Sequence, residues 1–188
     1  YAYSTKYHRH IAEIDQEFRK YTKKNINFSF ENKHDKISKD YSSHQKNQEE
    51  IIKVVSAIAK YKIPLTLRGG GTGNYGQCVP LEGGVIMIMT KLDKIIKFNK
   101  NSVRTEAGIR ISRLDDAARK IGLELLMYPS TRQTATIGGF LAGGSGGCGS
   151  LRNGMLRDPG NISYLKVLTV EKQPKIIELY NCLLYTSD

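Results

Sequence analysis

The alternation of apolar and polar positions along the chain predicts short helices and short strands in turn. "IAEIDQEFRKYTKK" places Ile11, Ile14, Phe18 and Tyr21 at spacings of three and four, one apolar stripe on a charged helix. From Asn27 to Lys46 the sequence is polar and turn-prone, and no element is predicted. "NQEEIIKVVSAIAKYK" then reads as a helix of about four turns. Asn47, with Glu50 three residues on, has capping-box spacing, and Ile51, Ile52, Val54, Val55, Ile58 and Ala59 form a wide apolar face. The helix leads into a strand, "IPLTL", then a glycine loop, then "GGVIMIMT", whose unbroken apolar run suits a strand buried on both faces.

A second unit follows with different spacing. "LDKIIKFN" and "SVRTEAG", joined by the turn-like "KNS", predict a hairpin or adjacent strands, and "ISRLDDAARKIG" predicts a helix closed by Gly122. "LELLM" is a candidate short strand. In "YPSTRQTATIGGFLAGGSGGCGS" the core "TIGGFLAGG" predicts a short helix, with Pro129 and Ser130 fixing the chain on its way in. "ISYLKVLTVEKQPKIIEL" predicts two extended segments around a turn at Gln173 and Pro174. The fold class is α+β in two lobes, each with a small sheet, helices and one glycine-rich loop.

Composition changes this picture little. With 188 residues the chain suits one domain or two small lobes. It opens without Met, and "YNCLLYTSD" at the end continues no earlier pattern, so we expect a piece of a longer protein. The formal charge of +11 invites an anionic partner, but residues 1 to 62 hold 13 basic and 8 acidic side chains and the remainder 16 and 10. Without a basic block, a solvated basic surface is expected in preference to a nucleic-acid footprint. No apolar run is long enough for a membrane span or a secretory signal, and a cytoplasmic location is expected. Cys78, Cys148 and Cys182 lack metal-ligand spacing, so no metal site is expected. The histidines His8, His10, His34 and His44 all precede the glycine loop, and surface or structural roles are expected for them.

The candidate chemistry lies in the glycines. "LRGGGTGNYGQ", Leu67 to Gln77, holds five of them directly after a strand. Such a stretch is a linker, a tight turn, or a bare backbone whose N–H groups converge on an anion such as a phosphate. It lacks the Lys-Ser or Lys-Thr of a P-loop, and it precedes a strand rather than the helix opened by the doubly wound dinucleotide fingerprint. Thr72 and Asn74 add short polar side chains, and Arg68 can add charge unless it is solvated or held in an ion pair. Alone, the loop leaves a structural turn open. A second element, "TATIGGFLAGGSGG", makes the pair suited to an extended cofactor with a pyrophosphate centre.

The ordered motifs "PLTLRGGGTGNYGQ", "GGVIMIMTKLDKII", "VRTEAGIRISRLDDAARKIGLELLMYPST", "TATIGGFLAGGSGGCGS", "LRNGMLRDPGN" and "LTVEKQP" resemble the FAD-binding domain shared by p-cresol methylhydroxylase and vanillyl-alcohol oxidase. Within that superfamily the chain is most similar to FAD-linked oxidases of the glycolate oxidase type. The resemblance implies a two-lobed FAD-binding domain over residues 47–179, lobe one 47–90 and lobe two 91–179. Residues 1–46 precede it as a helix and polar segment, and 180–188 form an atypical tail.

The resemblance also implies cofactor contacts. It assigns the FAD pyrophosphate to the backbone of Gly69, Gly70, Gly71, Thr72, Gly73 and Asn74. It assigns the ribityl and flavin side to Pro129, Ser130, Thr136, Ile137, Gly138, Gly139, Gly143, Gly144 and Ser145. Some members tether the flavin through a His in the first loop. Thr72 stands there in this chain, so noncovalent FAD is expected. The implied parent is an FAD-dependent oxidoreductase, oxidising a small 2-hydroxy acid by hydride transfer to flavin N5 and passing electrons to an acceptor the sequence does not identify. The family's substrate-binding domain is absent from this sequence, and no residue receives a catalytic assignment. The alternatives are a flavin-fold module that binds without turnover and a basic nucleic-acid-binding protein.

Overall fold

A computed structural model describes residues 40–44, 47–144 and 146–180, the first five through their backbone. The expected stripe of Ile11 to Tyr21, the histidines before His44, Ser145, Cys182 and the tail beyond Tyr180 lie outside the described residues. The described chain falls into two compact units. One comprises 40–44, 47–66, 80–87 and 168–176, and the other 67–79, 88–144, 146–167 and 177–180.

The first unit is built on helix α1, Gln48–Tyr61, and a three-stranded sheet. Asn47 caps α1, its Oδ1 accepting the Glu50 N–H at 2.9 Å. The helix ends as Lys62 enters the left-handed region at φ 53°. Val54, Val55 and Ile58 are buried on the expected face. The strands are β1, Asp40–His44, β2, Leu65–Arg68, and β3, Gly84–Ile88, in the order β1-β3-β2. β1 falls in the polar stretch for which no element was predicted. Pairing along β3 supplies what its polar composition does not. In β3 only Val85 and Met87 are buried, alternating with half-exposed neighbours, so the strand has one covered face rather than the two expected.

The second unit holds the predicted hairpin, β4, Ile95–Phe98, and β5, Val103–Thr105, antiparallel with an irregularity between Ile95 and Lys97. Helix α2, Ile111–Arg119, buries Ile111, Leu114, Asp115 and Ala118. Gly122, at φ 75°, turns the chain away as the Leu123 N–H bonds the Ala118 carbonyl at 3.0 Å. "LELLM" forms no strand. Its backbone partners are side chains: the Leu125 N–H donates to Asp115 Oδ1 at 3.2 Å, and the Leu126 carbonyl accepts Asn153 Nδ2 at 2.8 Å. Only Tyr128 makes a sheet-like bridge, to Cys148.

Helix α3, Ile137–Gly143, is the predicted glycine-rich helix, and α4, Ser150–Asn153, is a four-residue addition. The final hairpin comprises β6, Tyr164–Leu168, and β7, Ile176–Tyr180. A network joins β5 to it: Arg104 Nη2 donates to Tyr164 Oη at 3.1 Å, and Tyr164 and Tyr180 both donate to Glu178. The core of the unit gathers Ile111, Met127, Ala135, Phe140, Leu156 and Ile162, so α3 is held through Phe140. Among the described residues no helix is long and apolar enough to cross a membrane, and no group of three or more His, Cys, Asp or Glu could hold a metal. Cys78 and Cys148 are free thiols.

Candidate functional site

β2 ends at Arg68, and the chain turns at once through Gly69, Gly70 and Gly71. Gly71 has φ 68°, a conformation that L side chains avoid. Among the described residues, none of the N–H groups from Gly69 to Asn74 finds an acceptor; the next, of Tyr75, donates to Gln77 Oε1 at 3.2 Å. Gly70, Gly71, Gly73 and Asn74 are exposed, and Gly69 and Thr72 half-buried. Such a run of unpaired amides in a glycine-rich turn is the physical make-up of an anion site.

What gives the loop its path is the segment before α3, in the same unit. A Cβ built on Gly69 would overlap Thr136 Oγ1, and one on Gly70 would overlap the Thr134 carbonyl oxygen. These two glycines are therefore required by packing, whatever the loop binds. A Cβ on Gly73 would overlap the Gln77 carboxamide oxygen, the same atom that receives the Tyr75 N–H. The structure thus brings the first glycine loop directly onto Thr134, Ala135 and Thr136.

Thr136 is buried at 2% exposure and caps α3, its Oγ1 accepting the Gly139 N–H at 3.3 Å. The other first-turn donors are also committed. The Ile137 N–H bonds Ile109 O at 3.0 Å, that of Gly138 bonds Ala107 O at 2.8 Å, and that of Phe140 bonds Thr136 O at 3.0 Å. The amino end of α3 keeps no free donor, so the amides open to a ligand belong to the first loop.

The two sides of α3 differ. A Cβ on Gly138 would stand 2.7 Å from Ala107 Cβ, which makes Gly138 a packing glycine. Ile137 is half-buried and packs on the core. Gly139, Gly143 and Gly144 are exposed, and a Cβ on Gly143 or Gly144 would meet nothing within 4 Å. That bare face is open to a flat ligand.

Half-buried Pro129 and exposed Ser130 begin the turn that delivers the chain to Thr136. The Arg132 N–H bonds Pro129 O at 3.0 Å, and the Thr134 and Ala135 N–H groups both bond Thr131 O at 2.9 Å. This turn is anchored by Asp115, which is 1% exposed on α2. Its Oδ2 accepts Arg119 Nε at 2.8 Å and Arg132 Nη1 at 3.4 Å, while its Oδ1 takes the Leu125 N–H. Burial by itself raises the carboxyl pKa. The hydrogen bonds from Arg119 and Leu125, with the charges of Arg119 and Arg132, outweigh that and hold it below the ordinary carboxylate range. Asp115 was absent from the sequence-derived site. Its signal was there: an acid one position beyond Leu114 and four beyond Ile111, inside the apolar stripe.

Comparison with known proteins gives a consistent result. The FAD binding domain family matches residues 44–173. A D-lactate dehydrogenase of Archaeoglobus fulgidus is 35% identical over 113 residues, covering 60% of this chain and 25% of that protein. Glycolate oxidase subunit GlcD of Escherichia coli is 29% identical over 112 residues, covering 58% of this chain and 22% of that protein. The chain thus spans about a quarter of the length of these relatives. A solved structure of alkyldihydroxyacetonephosphate synthase superposes with a TM-score of 0.64 at 25% identity, over 75% of this chain and 26% of that one.

Proposed function

The chain belongs to the FAD binding domain family, of the p-cresol methylhydroxylase type, and on that premise we propose that it is the flavin-holding part of an FAD-linked oxidoreductase acting on a small 2-hydroxy acid. The observation that carries the reading is the run from Gly69 to Asn74: six backbone N–H groups without an acceptor among the described residues, on a turn built of glycine. A diphosphate offers several charged oxygens to such a surface, and hydrogen bonds to charged acceptors are roughly twice as strong as neutral ones.

The residues present fit FAD on two further counts. The loop abuts Thr134–Thr136, so a ligand laid on it meets the chain that leads into α3. Beyond that, Gly143 and Gly144 leave open space where side chains would stand. The first loop would hold the diphosphate, and Pro129, Ser130 and the bare face of α3 would flank the ribityl and flavin portion. Thr136 and Ile137 would fix that face from beneath, through the cap and the core. When bound, FAD supplies the oxidant, its N5 accepting the hydride equivalent from the alcohol carbon.

The 2-hydroxy acid rests on the relatives, named for D-lactate and glycolate, whose common chemistry is an alcohol beside a carboxylate. The flavin is held without a covalent bond, since Thr72 has no nucleophile comparable to an imidazole. Because the chain spans a quarter of its relatives, turnover is assigned to a larger protein of which this is the cofactor-binding portion. The test is reconstitution: the chain is mixed with FAD, desalted, and examined for a flavin absorption spectrum. Retained, near-stoichiometric flavin is expected, and a folded sample that retains none contradicts the reading.

A further inference from the structure

We propose that Arg68 is the charged member of the diphosphate cradle and makes it select phosphate-bearing flavins over unphosphorylated ones. The inference rests on reading Gly69–Asn74 as that cradle, and adds to it a side chain and a specificity.

Arg68 stands apart from most of its counterparts in the second unit. Arg113 pairs with Asp93, Arg119 and Arg132 pair with Asp115, and Arg104 bonds Tyr164. Arg68 is exposed and has no carboxylate partner among the described residues. Yet its guanidinium lies along the loop. A Cβ built on Gly71 would stand 3.0 Å from Arg68 Nη2, 3.1 Å from Nε and 3.3 Å from Cζ. The planar cation therefore occupies the side-chain direction of Gly71, in the middle of the unpaired amides. The root of the side chain is fixed as well, because the Arg68 carbonyl accepts the Met89 N–H at 2.9 Å.

An unpaired cation in this position supplies what backbone amides lack, a full charge, and the guanidinium fork matches two phosphate oxygens at once. The arrangement also gives Gly71 a second reason to be glycine. Beyond the positive φ, a side chain there would displace the guanidinium from the loop. Riboflavin carries no phosphate for Arg68 to meet, whereas FAD and ADP share the diphosphate.

The experiment uses the full chain, with folding checked by circular dichroism, and compares FAD, ADP and riboflavin binding in the unaltered protein, Arg68→Gln and Arg68→Lys. The glutamine variant is expected to bind FAD and ADP about tenfold more weakly, as for loss of a charge-assisted hydrogen bond. Riboflavin binding should stay within about twofold, and the dependence of FAD affinity on salt should flatten. Lysine, which keeps the charge without the fork, should fall between. Unchanged FAD affinity and salt dependence in Arg68→Gln overturns the proposal while the FAD reading stands. Equal weakening of FAD and riboflavin also overturns it, reducing Arg68 to a support for the loop. If the folded, unaltered chain binds neither FAD nor ADP, the cradle reading itself fails and this inference falls with it.

Discussion

Gly70 lies so close to Thr134 that a Cβ on it would overlap the Thr134 carbonyl oxygen, with the carbonyl carbon at 2.8 Å. A backbone group cannot rotate aside as a side chain does, so the first glycine loop is seated by its bareness. Gly70→Ala is therefore expected to lower stability by about 1–3 kcal/mol, the range for overpacking. The effect should appear in thermal melts of FAD-free protein. An unchanged melting temperature would show that the loop does not sit on Thr134.

Gly143 is the opposite case. Nothing lies within 4 Å of a Cβ placed there, and its φ is not in the left-handed region. Gly143→Leu should shift stability by no more than about 1 kcal/mol, as for exposed positions generally. If the bare face of α3 carries the flavin, the same substitution should weaken FAD binding at least tenfold, on the order of 1.4 kcal/mol or more. Titration of flavin fluorescence measures this, and wild-type affinity in the variant would place the flavin elsewhere.

Asp115 links α2 to the turn carrying Pro129 and Ser130. Its folded pKa lies below the unfolded value, so its contribution to stability is fully present above about pH 5. It is lost as pH falls through the lowered folded value. Arg119 and Arg132 are half-open to water and can be solvated when the acid is removed. The main loss is then the acceptor for the Leu125 N–H, a cost of about 1–3 kcal/mol. Asp115→Ala should destabilise by that amount near pH 7, and denaturant melts of the two proteins should converge below about pH 4. A gap independent of pH would assign the effect to packing instead.

Thr72 sits in the first loop, where the resemblance provides for a tethering His in some relatives. After acid precipitation of FAD-loaded protein, the flavin is expected in the supernatant and the pellet colourless. A yellow pellet would mean a covalent bond from another residue.

Local signals were read correctly where the chain carries its own partner. Asn47 and Glu50 marked the start of α1, and Gly122 marked the turn after α2, because each device acts within a few residues. The strand expected at "LELLM" failed for a long-range reason. Leu125 and Leu126 alternate as a strand would, but their backbone groups are taken by the Asp115 and Asn153 side chains. β1 was missed for the converse reason, since a polar segment becomes a strand through the neighbour it pairs with.

The glycines show the same division. Their number pointed to bare backbone, but nothing in the sequence separates Gly69, Gly70 and Gly138, which are bare for packing, from Gly143 and Gly144, which border open space. That distinction depends on which residues face them: Thr136, Thr134 and Ala107. The commitment of the α3 amides to Ile109 and Ala107 was equally hidden. It shifts the anion-binding role wholly to the first loop.

The most direct test of that assignment follows backbone amide resonances by nuclear magnetic resonance while FAD is titrated into isotopically labelled chain. The N–H signals of Gly69, Gly70, Gly71, Thr72, Gly73 and Asn74 should move together to saturation, and ADP should reproduce most of the shift. Those of Ile137 and Gly138, already bonded to Ile109 and Ala107, should move far less. Saturable FAD binding that leaves the Gly69–Asn74 amides unmoved would contradict the account.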